Sequence, residues 1–247
     1  MITAQTANPP PEHVVILGLG PSLEAYVDIV KRLGNRNRLA DEVWGINAVG
    51  DVIRCDRVFH MDDVGIQQVR ADARPESNIA AMLEWLKTHP GPIYTPRLYD
   101  GYPGLVEYPL EDVINSVGLP YFNGTCAYAV ALAIHLGAKK ISLFGTDYTY
   151  ANSHLAEKGR ACVEFLLGIA FARGIEVCVS EKSSLMDTCE GGLSLYGYGR
   201  FGSLDVEVQH IDGRAKTVFT ERASLPTADE IEAAYSHEKH PSPLVKD

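Results

Sequence analysis

The sequence predicts an α/β protein with a doubly wound, mostly parallel sheet and a C-terminal lid or hairpin. Three observations carry that expectation. Short β-rich apolar runs alternate with helical spacing from residue 13 to about residue 180; such alternation builds a parallel sheet with helices on both faces. The first run, HVVIL, ends in a glycine-rich turn, GLGPSL at 18–23, that opens a helix. An emphatic apolar run, KISLF at 140–144, ends in Gly145, Thr146 and Asp147, the small and polar residues expected where strands deliver ligands.

Taken in order, His13 to Leu17 reads as a buried strand, and Pro21 suits a helix start. Leu23, Tyr26, Val27 and Val30 have helical spacing, ending near Gly34. EVWGIN (42–47) and RVFHM (57–61) read as the second and third strands. A helical period runs from Ile79 to Leu86, closed by His89-Pro90-Gly91, and PIYT (92–95) is a short strand. Residues 97–122 are rich in Tyr, Gly and Pro, with one helical turn around Leu110 to Val117; they read as a lid-like insertion. Thr125 to Leu136 is an Ala-rich helix stopped by Gly137, followed by the KISLF strand. Glu157 to Arg173 is a helix with Gly174 as its C-cap, and IEVCV (175–179) the next strand. Beyond Gly191, Asp205 to Val208 and Thr217 to Phe219 pair as a hairpin across Asp212-Gly213, with a last helix at Asp229 to Tyr235. The organisation is therefore a nucleotide-binding domain at 13–190 and a hairpin and helix extension at 191–236. Residues 1–12 and 237–247 read as disordered tails.

Bulk properties remove some function classes. A net charge of −10 disfavours a nucleic-acid partner. No apolar run reaches the ~18 residues of a membrane helix. The N-terminal stretch lacks the basic-then-apolar order of a signal peptide. The five cysteines are scattered without a C-x-x-C pair, which suggests reduced thiols in a cytoplasmic protein. A homo-oligomer is left open.

Ligands of open parallel sheets bind beyond the carboxyl ends of the strands. There the sequence places Gly18, Gly20, Pro21 and Ser22; Asn47; Asp62 and Asp63; and Gly145, Thr146, Asp147 and Tyr148. Gly18 and Gly20 match two positions of the Rossmann-type G-x-G-x-x-G fingerprint, but the third is Leu23. The second strand ends in Asn47 where a ribose-binding acid is expected. Both departures disfavour a dehydrogenase, while the backbone N–H groups at the helix start still suit an anion. Asp62 and Asp63 suit Mg²⁺ bound to phosphates; alternatively Asp63 caps the next helix. Asp147 has no evident structural role. His154, in the polar loop ANSHLAEKGR, suits a general base or a surface cap. His13 and His135 sit at element ends, and His60 stays a candidate.

The blocks NGTCAYAVALAIHLGAKKISLFGTDY, GLGPSL, SHLAEKGRACVEFLLGIAFARGIEV and SSL (183–185) resemble the family 42 sialyltransferases. They also resemble related motility-associated glycosyltransferases, archaeal 6-hydroxymethylpterin diphosphokinases and uncharacterised phage proteins. The resemblance implies a single-domain, Rossmann-like glycosyltransferase variant that moves a sugar from a nucleotide-sugar donor to an acceptor hydroxyl of a small molecule or glycan. It implies that Gly18 to Ser22 holds the nucleotide phosphate or ribose, that Asn47 and Thr125 touch the nucleotide, and that Asp147 lies near its ribose or base. Tyr148 or Tyr150 would bind phosphate and His154 would be the general base, with no metal cofactor required. Asp62-Asp63 departs from that pattern and leans towards a Mg²⁺-dependent diphosphokinase using ATP. A nucleotide-binding accessory protein without activity is the third reading. YGYGRFG (196–202) has no counterpart in the family; its tyrosines and Arg200 suit an acceptor lid.

Overall fold

The structure, a computed structural model, describes residues 9–149, 152–190, 195, 198 and 203–234. The first half contains β1 (His13–Leu17), α1 (Leu23–Leu33), β2 (Glu42–Ile46), α2 (Val49–Val52), β3 (Arg57–Phe59), α3 (Val64–Ala73) and α4 (Asn78–Thr88). The second contains β4 (Ile93–Thr95), β5 (Leu105–Glu107), α5 (Leu110–Val117), α6 (Thr125–His135), β6 (Lys140–Phe144), α7 (Ser153–Ala172) and β7 (Glu176–Val179). Then come β8 (Leu204–Ile211), β9 (Arg214–Glu221) and α8 (Ala228–Ala234).

Strands β1 to β7 form one seven-stranded sheet in the order β5-β4-β3-β2-β1-β6-β7, parallel at every pairing. β1 is central, with Ile16 opposite Trp44 on one side and Leu143 on the other. Its side chains alternate between faces, as a strand's must. Val14 and Ile16 join the core beneath α6 and α7, whereas Val15 and Leu17 pack with Tyr26 and Val49 of the opposite face. The same alternation in β3 sends Phe59 to the first core and Val58 to a third cluster with Leu83 and Leu86 of α4. Helices cover both faces, as a doubly wound sheet requires.

α6 is apolar all round: Cys126, Ala127 and every residue from Ala129 to Ile134 are buried. A helix without a polar face belongs in an interior, and α6 lies across β1, β2 and β3. Its small alanines let it approach the sheet, so its N-terminal end is held at the strands' carboxyl edge.

Residues 97–122 contribute to the sheet and the core. Leu105–Glu107 pairs in parallel with Ile93–Thr95 as the edge strand β5, and Tyr108, Val113 and Val117 are buried in the main core. Three core anchors and a strand were concealed among turn-forming residues. The hairpin extends further than its two short runs implied, with Asp212 and Gly213 as its turn. Arg200 and Tyr150 lie outside the described residues, as do the two proposed terminal tails save residues 9–12. Cys55, Cys126, Cys162 and Cys178 are free thiols. No helix among the described residues is long and apolar enough to cross a membrane.

Candidate functional site

The chain crosses from β1 to β2 on one side and reaches β6 on the other. The carboxyl ends of β1 and β6 therefore flank a topological switch point, where loops diverge and leave a crevice. A cleft of about 460 Å³ opens there. Its walls are the loops after β1 and β6, the end of β2, and the first turn of α6.

The two glycine loops are locked to each other, backbone on backbone. Gly18 N donates to Phe144 O at 2.8 Å and Gly20 N to Gly145 O at 2.7 Å. A Cβ on Gly18 would lie 2.2 Å from the Gly145 carbonyl oxygen, so no side chain fits. Gly145 also has φ +69°, in the left-handed region. These glycines serve loop-to-loop contact.

Ser22 and Asp147 complete the lock. The Asp147 carboxylate, 2% exposed, accepts from Ser22 N at 2.6 Å and from the Ser22 hydroxyl at 2.5 Å. The Ser22 Oγ in turn accepts from Gly145 N at 2.6 Å, and Ser184 Oγ donates to the Asp147 carbonyl. A carboxylate is stabilised at the positive end of a helix, and here Asp147 takes that position at α1. The helix start that the sequence offered to an outside phosphate is occupied by the protein's own anion. Asp147 thereby has the structural role that the sequence did not reveal.

α6 presents the other helix terminus in the cleft. Its N-cap is Gly124, which has no side chain to cap it, and Gly124, Thr125 and Cys126 line the cavity. The first turn of α6 thus borders the space a ligand would fill, and the N–H groups of a helix start suit an anion. Two lining residues carry buried side-chain oxygens without a hydrogen-bond partner among the described residues, Asn47 Oδ1 and Thr146 Oγ1. Thr146 is 7% exposed. Such orphans are uncommon and cost about 1–3 kcal/mol each when left unpaired. Asn47 also holds a left-handed backbone, φ 52°.

Tyr148 shares that left-handed conformation, φ 51°. It is 9% exposed, it lines the cleft together with Cys126, and its ring lies against Gly159 of α7. Burial pushes the Cys126 thiol up to about 12, with Tyr148 a smaller opposing influence. A thiol raised in this way is a poor nucleophile while it stays buried. Among the described lining residues Asp147 alone carries a charge, and no Lys or Arg is present.

The structure thus brings together Gly18, Gly20, Pro21, Asn47, Thr125, Gly145, Asp147 and Tyr148 at one cleft, with Ser22 buried just behind them. It does not bring Asp62 or Asp63 there. Asp62 is exposed. Asp63 caps α3, accepting from Ile66 N at 2.9 Å, and pairs with Arg97 at 3.4 Å. The Ile66 N–H above all, and then the Tyr99 hydroxyl, lower its carboxyl below the ordinary range. The capping alternative is the one realised. No group of three or more His, Cys, Asp or Glu among the described residues is placed to hold a metal. His154 is exposed in the first turn of α7, on the segment between the lining residues Thr149 and Gly159. His60 is fully buried with neither ring nitrogen partnered among the described residues.

Sequence reasoning missed Asn123, Cys126 and Gly159 as lining residues. A glycine in mid-helix costs about 1 kcal/mol against alanine, so Gly159 was the one signal available. Nothing in the sequence marks Cys126.

These features define a Rossmann-like α/β protein whose cleft lies at the switch point of its sheet. No family model matches the chain, and no curated protein matches it. Solved structures similar to it are sialyltransferases. One is CstII from Campylobacter jejuni in complex with the substrate analogue CMP-3FNeuAc, 17% identical with a TM-score of 0.45, covering 90% of this chain and 97% of that one. Another is a CST-II variant in complex with CMP, 15% identical with a TM-score of 0.46 and the same coverages. Likenesses of this size do not assign an activity.

Proposed function

We propose that this protein is a glycosyltransferase that moves a sugar from a nucleotide-sugar donor, linked through a single phosphate, to an acceptor hydroxyl. The observation that carries the proposal is the α6 end, with no side-chain cap, facing a cleft that also holds the unpartnered Asn47 and Thr146 oxygens. One helix terminus suits one phosphate charge. A pyrophosphate brings more charge, and the described lining offers no cation to offset it. The diphosphokinase reading loses support as well, because Asp63 is spent on a helix cap and an ion pair and Asp62 is exposed, neither of them lining the cleft.

In this reading the N–H groups of α6, the Thr125 hydroxyl and Tyr148 receive the phosphate, and Asn47 binds the nucleoside. Asp147 acts at one remove, by holding Ser22 and hence the shape of the first loop. His154 takes the proton from the acceptor hydroxyl. The oxygen attacks the anomeric carbon, the bond from that carbon to the phosphate oxygen breaks, and the nucleoside monophosphate departs with its added charge facing α6. Donors aimed at a developing charge are an effective form of transition-state stabilisation. The sialyltransferase structures with CMP agree with such a donor without deciding it.

The test is calorimetric titration with CMP, UMP, AMP and GMP and with the corresponding diphosphates, with and without Mg²⁺, followed by turnover of nucleotide sugars. Monophosphates should bind at least as tightly as diphosphates and without metal. His154→Ala should keep that binding and lose about 10²–10⁴-fold in transfer. Undiminished transfer would remove the assigned base. Binding only of diphosphates or ATP with Mg²⁺ would return the diphosphokinase reading, and binding without any turnover the accessory-protein reading.

A further inference from the structure

α7 runs for 20 residues and contains two glycines, Gly159 and Gly168, although glycine weakens a helix interior. Their surroundings differ. A Cβ on Gly168 would meet nothing within 4 Å, whereas one on Gly159 would lie 2.5 Å from Tyr148 Cε1 and 3.0 Å from Cδ1. Real side chains do not approach an aromatic ring so closely, and a buried ring beside a helix backbone has little room to yield. The left-handed backbone at Tyr148 is a further constraint on the ring. Cys126, the second residue of α6, lines the same cleft and belongs to the same core cluster as Tyr148, so its thiol reports on how the ring is seated.

We infer that Gly159 is a positioning residue that seats Tyr148: the absence of a side chain there opens α7 to the ring and so sets where the Tyr148 hydroxyl lies at the cleft. A non-glycine residue avoids φ above zero unless its surroundings over-determine it. Here the seat in α7 supplies that determination. Only the functional consequence, a hydroxyl ready for the ligand's phosphate, rests on the proposed nucleotide site. The seating itself stands on geometry.

The experiment compares Gly159→Ala, Gly168→Ala, Tyr148→Ala and the Gly159→Ala/Tyr148→Ala double variant of the full chain. Three readouts are used: thermal unfolding, the rate of iodoacetamide alkylation at Cys126 followed by peptide mass spectrometry, and CMP affinity by calorimetry. Gly159→Ala should speed Cys126 alkylation and weaken CMP binding about tenfold, the loss of one well-placed hydrogen bond to a charged group. Gly168→Ala should change neither. Tyr148→Ala should speed alkylation by itself, and adding Gly159→Ala should then change nothing more, since the ring that the methyl displaces is gone.

Wild-type alkylation in Gly159→Ala, or an equal increment from it in the Tyr148→Ala background, overturns the inference. If Gly159→Ala does not fold, recovery of folding in the double variant supports the seating, and failure of both overturns it. Faster alkylation in a protein whose wild type binds no nucleotide keeps the seating and rejects the nucleotide reading.

Discussion

At the scale of single residues, Asp147 and His60 meet burial in opposite ways. Asp147 is buried but receives two hydrogen bonds from Ser22, so its desolvation is offset. His60 is buried with neither ring nitrogen partnered among the described residues. Burial lowers its pKa from the ordinary 6.5, with the nearby Asp62 charge opposing. In the folded protein it therefore stays neutral to a lower pH than in the unfolded chain. The unfolded state binds the extra proton first, so stability is full above pH 6.5 and falls as pH drops below 6.5 towards the depressed folded value. His13 and His89 are shifted in the same direction, so the effect of His60 needs a difference measurement. Urea unfolding from pH 7 to pH 5 should show a shallower loss in His60→Phe than in wild type; parallel curves would mean that His60 titrates alike in both states. The candidate residues at the strand ends were legible in the sequence, because small and polar types there have no packing reason. Their division of labour was not. Ser22 and Asp147 are 125 positions apart, and no local pattern states that one will neutralise the other's helix.

At the scale of elements, the strongly patterned pieces were legible and the compromised ones were not. β1, β6 and α6 are continuous apolar runs, and their burial follows directly. α3 was foreseen only as the helix that Asp63 could cap, and its extent was not read for an identifiable reason: it buries Gln67 while Ile66 and Val69 are largely exposed, so its hydrophobic period is broken. β5 is three residues at a sheet edge, too short for alternation to show. The start of α3 depends on Asp63, whose carboxylate accepts from Ile66 N. Asp63→Ala should cost about 0.5–2 kcal/mol, as other N-cap losses do, and Asp63→Asn little. Chemical denaturation of the three proteins with and without Mg²⁺ checks both points. Stability that rises with Mg²⁺ in wild type and not in Asp63→Ala would restore a metal role to the pair.

At the scale of the whole molecule, the seven-stranded sheet and the β8–β9 hairpin are unequal. The sheet's strands lie between two helical layers, whereas almost every residue of the hairpin is exposed and none belongs to a core cluster. A two-stranded hairpin is marginal by itself, so its ladder should open far more often than the sheet. Amide hydrogen exchange should run to completion in 204–221 while β1 and β6 remain protected, since their amides exchange only through large-scale opening. Equal protection would show that the hairpin is covered in solution. Hydrophobic periodicity, glycine placement and strand–helix alternation are local properties of the chain, and they alone determined the fold class, the order of most elements and the edge of the sheet where chemistry sits. Only the tertiary structure decided which helix end is free for a ligand. Asp147 fills the α1 end, Gly124 leaves the α6 end without a side-chain cap, and Gly159 makes room for Tyr148 between them. Each of these depends on residues distant in sequence meeting at contact distance, where electrostatics and steric exclusion act and sequence spacing does not.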